Sequence, residues 1–174
     1  MIKEATGLIA PITENIPERL AERPQWVCWC LEEREGNPTK VPYVPGTVRR
    51  ASSTDLMTWA SFSEARAAYE VGKPLAYDGL GFVFCSADPF VGIDLDDCRD
   101  PNSGEISPWA QEIIDSVQEG YVEISPLGNG VHVIVEGTVR GGGVRRGKIE
   151  MYGRERFFTI TGKLLCRLGA RTRI

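Results

Sequence analysis

Two aspartates separated by one residue, Asp94 and Asp96 in FVGIDLDDC, point to divalent-cation chemistry. Alternate side chains of a β-strand face opposite sides, so both carboxylates lie on one face while Ile93 and Leu95 lie on the other. Their backbone positions are then about 7 Å apart, which lets the side chains converge on one or two ions. Oxygen ligands favour Mg²⁺ or Mn²⁺. The pair alone is weak evidence, because acidic pairs at strand ends are common and glycosyltransferases use a similar one.

A glycine-rich turn followed by a histidine is a second candidate. In ISPLGNGVHVIV, Gly128, Asn129 and Gly130 are expected to form a tight turn whose exposed backbone N–H groups cradle an anion. His132, the only histidine of the chain, begins the returning strand and faces away from its apolar side. An imidazole in this place is suited to bind a triphosphate oxygen. A hairpin that carries a histidine on its surface without a function would have the same sequence.

A third carboxylate stands in KIEMY, where Glu150 is expected to face away from the core side of Ile149 and Met151. A charged residue between apolar neighbours on a strand most often only faces solvent, so Glu150 gains its weight in combination with the aspartates. Lys40 and Arg156 are weaker candidates for positive charge near a triphosphate. For each of them a solvated side chain is an equally good explanation.

Charge is distributed unevenly along the chain. Residues 1–139 contain 10 Lys and Arg against 22 Asp and Glu, whereas residues 140–174 contain 10 against 2. Basic side chains have the sign needed to contact nucleic-acid phosphates. A nucleic-acid strand is therefore a candidate ligand of the glycine-rich segment that carries Arg140, Arg145, Arg146 and Lys148, whose glycines allow it to move. A solvated basic loop that offsets an acidic body would give the same pattern.

Three segments have the periodicity and end signals of helices. IPERLAERP predicts a short helix with Pro17 near its first turn. TWASFSEARAAYEVG predicts a helix that ends at Gly72. ISPWAQEIIDSVQEG predicts a helix with Ser107 as its N-cap and Gly120 as its end. These helices are expected to cover a sheet.

Strand patterns occur in QWVCWCLEE, GFVFC, FVGIDL, YVEIS, VHVIVEG, KIEMY and FFTITG. GFVFC and FVGIDL are predicted to pair as one hairpin, and YVEIS and VHVIVEG as another. The turn-rich GNPTKVPYVPG and the glycine-rich residues 137–147 are predicted to be loops. The sequence thus predicts an α+β protein with an N-terminal αβ unit and helices packed against a largely antiparallel sheet.

The bulk composition is typical of a folded globular protein. With 174 residues, 42% of them hydrophobic and 25% charged, the chain is expected to form a single domain over residues 1–174. No apolar run approaches the roughly 20 residues that span a bilayer, and the N-terminal pattern is not that of a signal peptide, so we expect a cytoplasmic protein without a membrane partner. Reduced thiols are expected rather than disulfides or zinc at the five cysteines Cys28, Cys30, Cys85, Cys98 and Cys166.

The segments GIDLDDC, SPLGNGVH and KIEMYGRERFFTITG occur in the order of three motifs of the archaeo-eukaryotic primase superfamily, which the sequence resembles. WVCWC, KVPY and STDLMTWASFSEA are similar to the catalytic domains of phage and plasmid primase-polymerases, which often precede a helicase. The similarity covers about residues 16–162. It implies the archaeo-eukaryotic primase fold, with a core like that of RNA-recognition modules. It also implies a nucleotidyltransferase that builds DNA or RNA on a single-stranded DNA template from nucleoside triphosphates.

The resemblance assigns roles to particular residues. Asp94, Asp96 and Glu150 would hold Mg²⁺ or Mn²⁺ for two-metal catalysis, and the turn 128–130 with His132 would grip the incoming triphosphate. The single-stranded template would then lie along the basic segment, through Arg140, Arg145, Arg146 and Lys148.

The sequence also departs from the family pattern. Leu127 stands where the family often has Ser, so Ser125 is the alternative source of a hydroxyl contact to phosphate. A zinc ribbon, a Walker A loop and a C-terminal helical domain are not found in the sequence. Helicase activity is therefore not expected here. Helical or helicase domains of a longer polypeptide, or replication proteins, are the expected partners for priming.

Two other functions use the same residues. A metal-dependent nuclease, or another phosphoryl-transfer enzyme, would use the three acids to activate water, but it has no need of a triphosphate pocket. A catalytically degenerate module would bind nucleotide or single-stranded DNA without turnover. The presence of all three acids disfavours the second alternative.

Overall fold

The structure is a computed structural model that describes residues 7–165. In this range the helices are α1 (Glu18–Ala21), α2 (Phe62–Val71) and α3 (Pro108–Ser116). The strands are β1 (Trp26–Arg34), β2 (Asn37–Tyr43), β3 (Gly79–Phe84), β4 (Phe90–Leu95), β5 (Tyr121–Ile124), β6 (Val131–Glu136), β7 (Gly143–Arg146), β8 (Ile149–Tyr152) and β9 (Arg156–Ile160). None of the helices in residues 7–165 is long and apolar enough to cross a membrane. Cys166 lies outside the described residues.

The strands form two sheets, whereas the sequence predicted one. The first has the order β2-β1-β3-β9 and the second the order β5-β6-β4-β8-β7. All neighbouring strands are antiparallel. The architecture is therefore α+β with antiparallel sheets, as predicted.

The predicted hairpin of GFVFC and FVGIDL is wrong. β3 lies between β1 and β9 in the first sheet, and β4 lies between β6 and β8 in the second. Since each strand already has a neighbour on both edges, the two strands have no free edge with which to pair. The connection between them is held by Asp88, whose carboxylate accepts from the backbone N–H groups of Cys85 (2.9 Å) and Phe90 (2.8 Å). The chain thereby passes from one sheet to the other. The second predicted hairpin, β5 with β6, is confirmed.

Two predicted loops contain strands. GNPTKVPYVPG includes β2, which pairs with β1 along the outer side of the first sheet. Proline cannot donate a backbone hydrogen bond, so Pro38 and Pro42 are tolerated in an edge strand and would be unfavourable in a central one. Residues 140–147 form a short 3-10 helix, Arg140–Gly142, and then β7, which pairs with β8. The segment expected to be mobile is therefore part of the second sheet.

Helices cover the sheets much as predicted. Ser61 and Glu64 form a capping box at the start of α2, and Gly72 ends this helix in the left-handed conformation, with φ of 64°. Ser107 precedes Pro108 at the start of α3, which ends at Ser116 rather than near Gly120.

The outer face of the second sheet packs against α3. Ala110 and Ile114 of α3 lie in one apolar cluster with Val91, Ile93 and Leu95 of β4. Because side chains alternate along β4, Asp94 lies on the opposite face from these three residues. The acid face of β4 is therefore the face directed away from α3.

The two sheets meet through aromatic side chains on this second face. Phe84 and Phe158 of the first sheet pack edge to face, with ring centroids 5.1 Å apart. A Cβ atom at Gly92 of β4 would lie 2.6 Å from each of these rings. Gly92 faces the same side as Asp94, so a glycine is required here for the first sheet to approach the acid face.

One segment of the chain joins both sheets. β9 pairs with β3 in the first sheet. The next residues then run beside β5 of the second sheet, where the N–H of Ile124 donates to the carbonyl of Lys163 (2.8 Å) and the N–H of Leu165 to that of Val122 (3.1 Å). Residues 156–165 thus connect the sheets by backbone hydrogen bonds on both sides.

We expect Gly92→Ala to lower the free energy of unfolding by about 1–3 kcal/mol, because the added methyl group overpacks two buried rings. Gly137→Ala is the matched control, since the nearest atom to its Cβ is 3.9 Å away. Urea unfolding of both variants and of the wild type measures the difference. Equal stability of the two variants would contradict the proposed role of Gly92.

Candidate active site

Five polar side chains form a row across the second sheet. Antiparallel pairing places Glu123 opposite His132, His132 opposite Asp94, and Asp94 opposite Glu150. Glu150 in turn lies opposite Arg145. Residues paired in this way share one face, with Cβ atoms about 4.5–5.5 Å apart. Strand segments that are distant in sequence therefore bring Asp94, Glu150 and His132 together.

His132 lies inside this row and is only 2% exposed. Its Nε2 is 3.7 Å from Oδ1 of Asp94, and its Nδ1 is 3.0 Å from Oε1 of Glu123. The ring also packs on Phe158 of the first sheet, with centroids 5.4 Å apart. The imidazole is thus held between two carboxylates and an aromatic ring, which argues against a histidine that only occupies the surface.

Glu150 is bound on both carboxylate oxygens. Its Oε1 lies 2.9 Å from Nε of Arg145, and its Oε2 accepts a hydrogen bond of 3.0 Å from the hydroxyl of Tyr152. Arg145, which the sequence placed among the template contacts, is therefore in direct contact with a candidate metal ligand.

Asp96 follows the end of β4 and is exposed. Its backbone N–H donates to the carbonyl of Lys148 (2.9 Å), which keeps it beside β8. Partial desolvation raises the pKa of the Asp96 carboxyl, and the negative charges of Asp94 and Glu150 raise it further. Three carboxylates thus repel one another at this end of the row.

Lys40 brings a positive charge to the same region from the other sheet. It lies on the edge strand β2 and is half-buried. Burial lowers the pKa of its ammonium group, and the carboxylates of Asp94 and Asp96 act against this shift. The candidate site therefore lies between the acid face of the second sheet and the β2 edge of the first.

The glycine turn differs from the prediction. The N–H of Gly128 donates to the carbonyl of Ser125 (2.8 Å), and the N–H of Gly130 donates to the Ser125 hydroxyl oxygen (3.0 Å). The expectation that these two amides are open to an anion is therefore wrong, because the turn uses them to close the hairpin. Asn129 donates from its side chain to Asp97 (2.8 Å). Ser125 is buried, and its carbonyl and hydroxyl oxygens accept these two amide hydrogen bonds within the turn.

The basic residues lie at the β7 end of the sheet. Arg140, Arg146 and Lys148 are exposed, and Lys148 donates to the carbonyl of Asp97 (3.3 Å). Arg156 lies with its guanidinium 4.8 Å from the centre of the Tyr152 ring. An open pocket of about 530 Å³ is formed here by Gly141, Gly142, Gly143, Val144, Arg145, Tyr152, Arg154, Glu155 and Arg156. A basic surface thus continues from the end of the acidic row.

Glu123 is a candidate functional residue that the sequence pattern did not single out. A glutamate between Val122 and Ile124 has the same local pattern as Glu150, which most often marks a solvent-facing residue, and alternation places it only on the face of Tyr121 and Ser125. Its partner His132 follows only from the register of the β5–β6 hairpin.

The candidate cation ligands lie near one another, but their oxygen atoms are not arranged around a common point. Within residues 7–165, no three His, Cys, Asp or Glu side chains are arranged as a ready-made metal site. The donor chemistry nevertheless fits a hard cation, since the three neighbouring groups are carboxylates that repel one another.

Comparison with known proteins supports a relationship to a primase-polymerase. No family model matches the chain. A DNA primase-polymerase of Nitratiruptor phage NrS-1 is 38% identical over 151 residues, which cover 83% of this chain. The chain is related to this primase-polymerase. The alignment covers 20% of the phage protein, so the chain corresponds to one fifth of its relative's length.

We expect Asp96→Asn to raise the free energy of unfolding at pH 7 in EDTA by about 0.5 kcal/mol, a value reduced for solvent screening. A carboxyl whose pKa is higher in the folded chain destabilises the fold when it is ionised, that is, at a pH above its folded pKa.

Asp100→Asn is the control of opposite sign. The N–H groups of Ser103 and Asn102 lower the pKa of Asp100, so its ionised form stabilises the fold and its replacement should destabilise. Urea unfolding in EDTA measures both variants. A loss of stability in Asp96→Asn would show that repulsion does not dominate at the acidic row.

Proposed function

We propose that the chain is a nucleotidyltransferase that extends DNA or RNA strands on a single-stranded DNA template from deoxynucleoside or nucleoside triphosphates. The single observation that carries the proposal is the in-register row of His132, Asp94 and Glu150 on one face of the second sheet. The relationship to a phage DNA primase-polymerase supports it, and so do the neighbouring basic residues.

Asp94, Asp96 and Glu150 are the residues that would hold Mg²⁺ or Mn²⁺. When bound, two such ions supply a lowered pKa for an attacking 3′-hydroxyl and charge neutralisation for the leaving pyrophosphate. Arg145 and Tyr152 hold the Glu150 carboxylate in place through one oxygen each. Each Glu150 oxygen keeps a further lone pair with which it could bind a metal ion.

Positive and hydrogen-bonding groups around the acids would bind the triphosphate. His132 presents Nε2 beside Asp94, and Lys40 carries its charge in from the other sheet. Arg156, above the Tyr152 ring, adds a planar cation that suits phosphate oxygens. The amides of Gly128 and Gly130 are not part of this proposal, because they donate within the turn.

The template would follow the basic surface from the 3-10 helix to the β7–β8 turn. Arg140, Arg146 and Lys148 are exposed there and have the sign to contact successive phosphates. Helical or helicase domains, or replication proteins, remain proposed partners for starting new strands.

Replacing both metal-binding aspartates should abolish strand extension. We expect Asp94→Asn plus Asp96→Asn to incorporate labelled nucleotide on a primed template at least about 10³-fold more slowly than the wild type in Mg²⁺ or Mn²⁺, because the ions lose their ligands. Glu112→Gln plus Asp115→Asn removes two exposed acids of α3, on the far side of the sheet, and is the matched control.

The outcomes separate the alternatives. Equal extension by the wild type and the site variant would refute the proposal. Metal-dependent cleavage of DNA without incorporation would identify a nuclease. Binding of triphosphate and template without incorporation by the wild type would identify a degenerate binding module.

Template affinity should depend on salt and on the basic surface. We expect Arg146→Ala to weaken binding of a single-stranded oligonucleotide and to reduce the slope of log affinity against log salt by about 0.7, the value for one lost phosphate contact. Lys73→Ala, at an exposed position after α2, is the control. Titrations by fluorescence anisotropy at several salt concentrations measure the slopes. Identical slopes for the two variants would place the template elsewhere.

A further inference from the structure

Glu123 is a carboxylate in an environment where an unpaired charge would be unfavourable. It lies on β5, is 0% exposed, and is flanked by the apolar residues Val122 and Ile124. Burying an ionised carboxylate is tolerated when hydrogen-bond donors surround it. The identity of these donors shows what the residue does.

Three donors fix one oxygen of this carboxylate. Oε2 accepts from the hydroxyl of Tyr121 (2.6 Å) and from the backbone N–H groups of Thr161 (2.9 Å) and Gly162 (2.8 Å). Backbone N–H groups only donate, so Oε2 must be an acceptor. Because two of the three donors belong to the backbone, the position of Glu123 is set by the fold and does not depend on substrate.

The other oxygen faces the imidazole. Oε1 of Glu123 lies 3.0 Å from Nδ1 of His132. An ionised carboxylate has no proton to give, so Nδ1 must carry the proton of this hydrogen bond. The opposite nitrogen, Nε2, then lies 3.7 Å from Oδ1 of Asp94, on the side of the metal-binding acids.

We propose that Glu123 is a positioning residue that accepts a hydrogen bond from Nδ1–H of His132 and so directs Nε2 at the reacting groups. When the ring carries a proton on both nitrogens, Nε2–H donates to a triphosphate oxygen. Phe158 limits movement of the same ring from the other sheet. A ring held at Nδ1 and on its face needs little reorganisation when substrate binds, which is the usual contribution of a carboxylate behind a functional histidine. The effect of Glu123 on activity rests on the proposed function, whereas its effect on the imidazole does not.

The chain is well suited to a direct test, because His132 is its only histidine. Nitrogen-15 NMR of protein labelled in the imidazole ring reports on one residue without assignment. In the wild type, at a pH where the ring is neutral, we expect the proton on Nδ1. A proton on Nε2 would overturn the proposal.

Glu123→Gln separates the hydrogen-bond chemistry from the packing. A glutamine has the same shape, and its oxygen can still accept from Thr161 and Gly162. Its NH₂ group would then face Nδ1 as a donor, so we expect the imidazole proton to move to Nε2. An unchanged tautomer in the folded variant would overturn the proposal. Should this variant not fold, the wild-type spectrum alone decides.

Strand extension provides the second measurement. We expect Glu123→Gln to lower kcat/KM on the order of 10- to 100-fold, the size usual when the carboxylate that orients a functional histidine is changed. Glu136→Gln, an exposed position on β6 that pairs with Arg19, should retain wild-type activity and the Nδ1 tautomer. A changed tautomer with full activity would refute the link between Glu123 and the reaction.

The two failures are distinguishable. If the wild type incorporates no nucleotide, the proposed function fails, and the NMR result still decides whether Glu123 sets the tautomer. If the wild type is active and Glu123→Gln changes neither the tautomer nor kcat/KM, the inference about Glu123 fails alone.

Discussion

The register of the second sheet is the constraint on which the candidate site depends. Glu123, His132, Asp94 and Glu150 come from four strands and meet only because each lies directly opposite the next. A slip of one residue in any of these strands would move its polar side chain to the α3 face and bring a valine, leucine, isoleucine or methionine to the site. Burial of Val91, Ile93 and Leu95 against α3 opposes such a slip. The apolar face therefore enforces the alignment of the polar face.

The same face must also pack against the first sheet. This is possible because Gly92 has no side chain. The row next to the acids contains Gly92 of β4, above which Phe84 and Phe158 lie. Phe158 also contacts His132. Close packing of aromatic rings on one part of the face thus stands directly beside the charged part. The core and the candidate site therefore occupy neighbouring rows of the same sheet face.

Much of this arrangement could be predicted from local pattern, and the remainder required knowledge of pairing. Alternation placed Asp94, Glu150 and His132 away from the apolar sides of their strands, and end signals located α2 and α3. The pairing of β3 and β4 was wrong because chain proximity says nothing about which edges are already occupied. β2 was missed because Pro38 and Pro42 resemble a turn unless the strand is known to be at an edge. The role of Glu123 can be recognised only once His132 is known to lie opposite it. The hydrogen bonds of the turn amides can likewise be recognised only once their acceptors are known.

The segment that joins the two sheets limits how far the two sheets can move apart. Residues 156–165 are hydrogen-bonded to β3 on one side and to β5 on the other. A scissor-like opening that carried Lys40 away from the aspartates would have to break backbone pairs at one of these places. The separation between the two sheets is therefore set during folding, and the proposed polyanionic substrates would be accommodated by rotamers of long side chains such as Arg145, Arg156 and Lys40. The backbone around the site is therefore rigid, and only its side chains adjust.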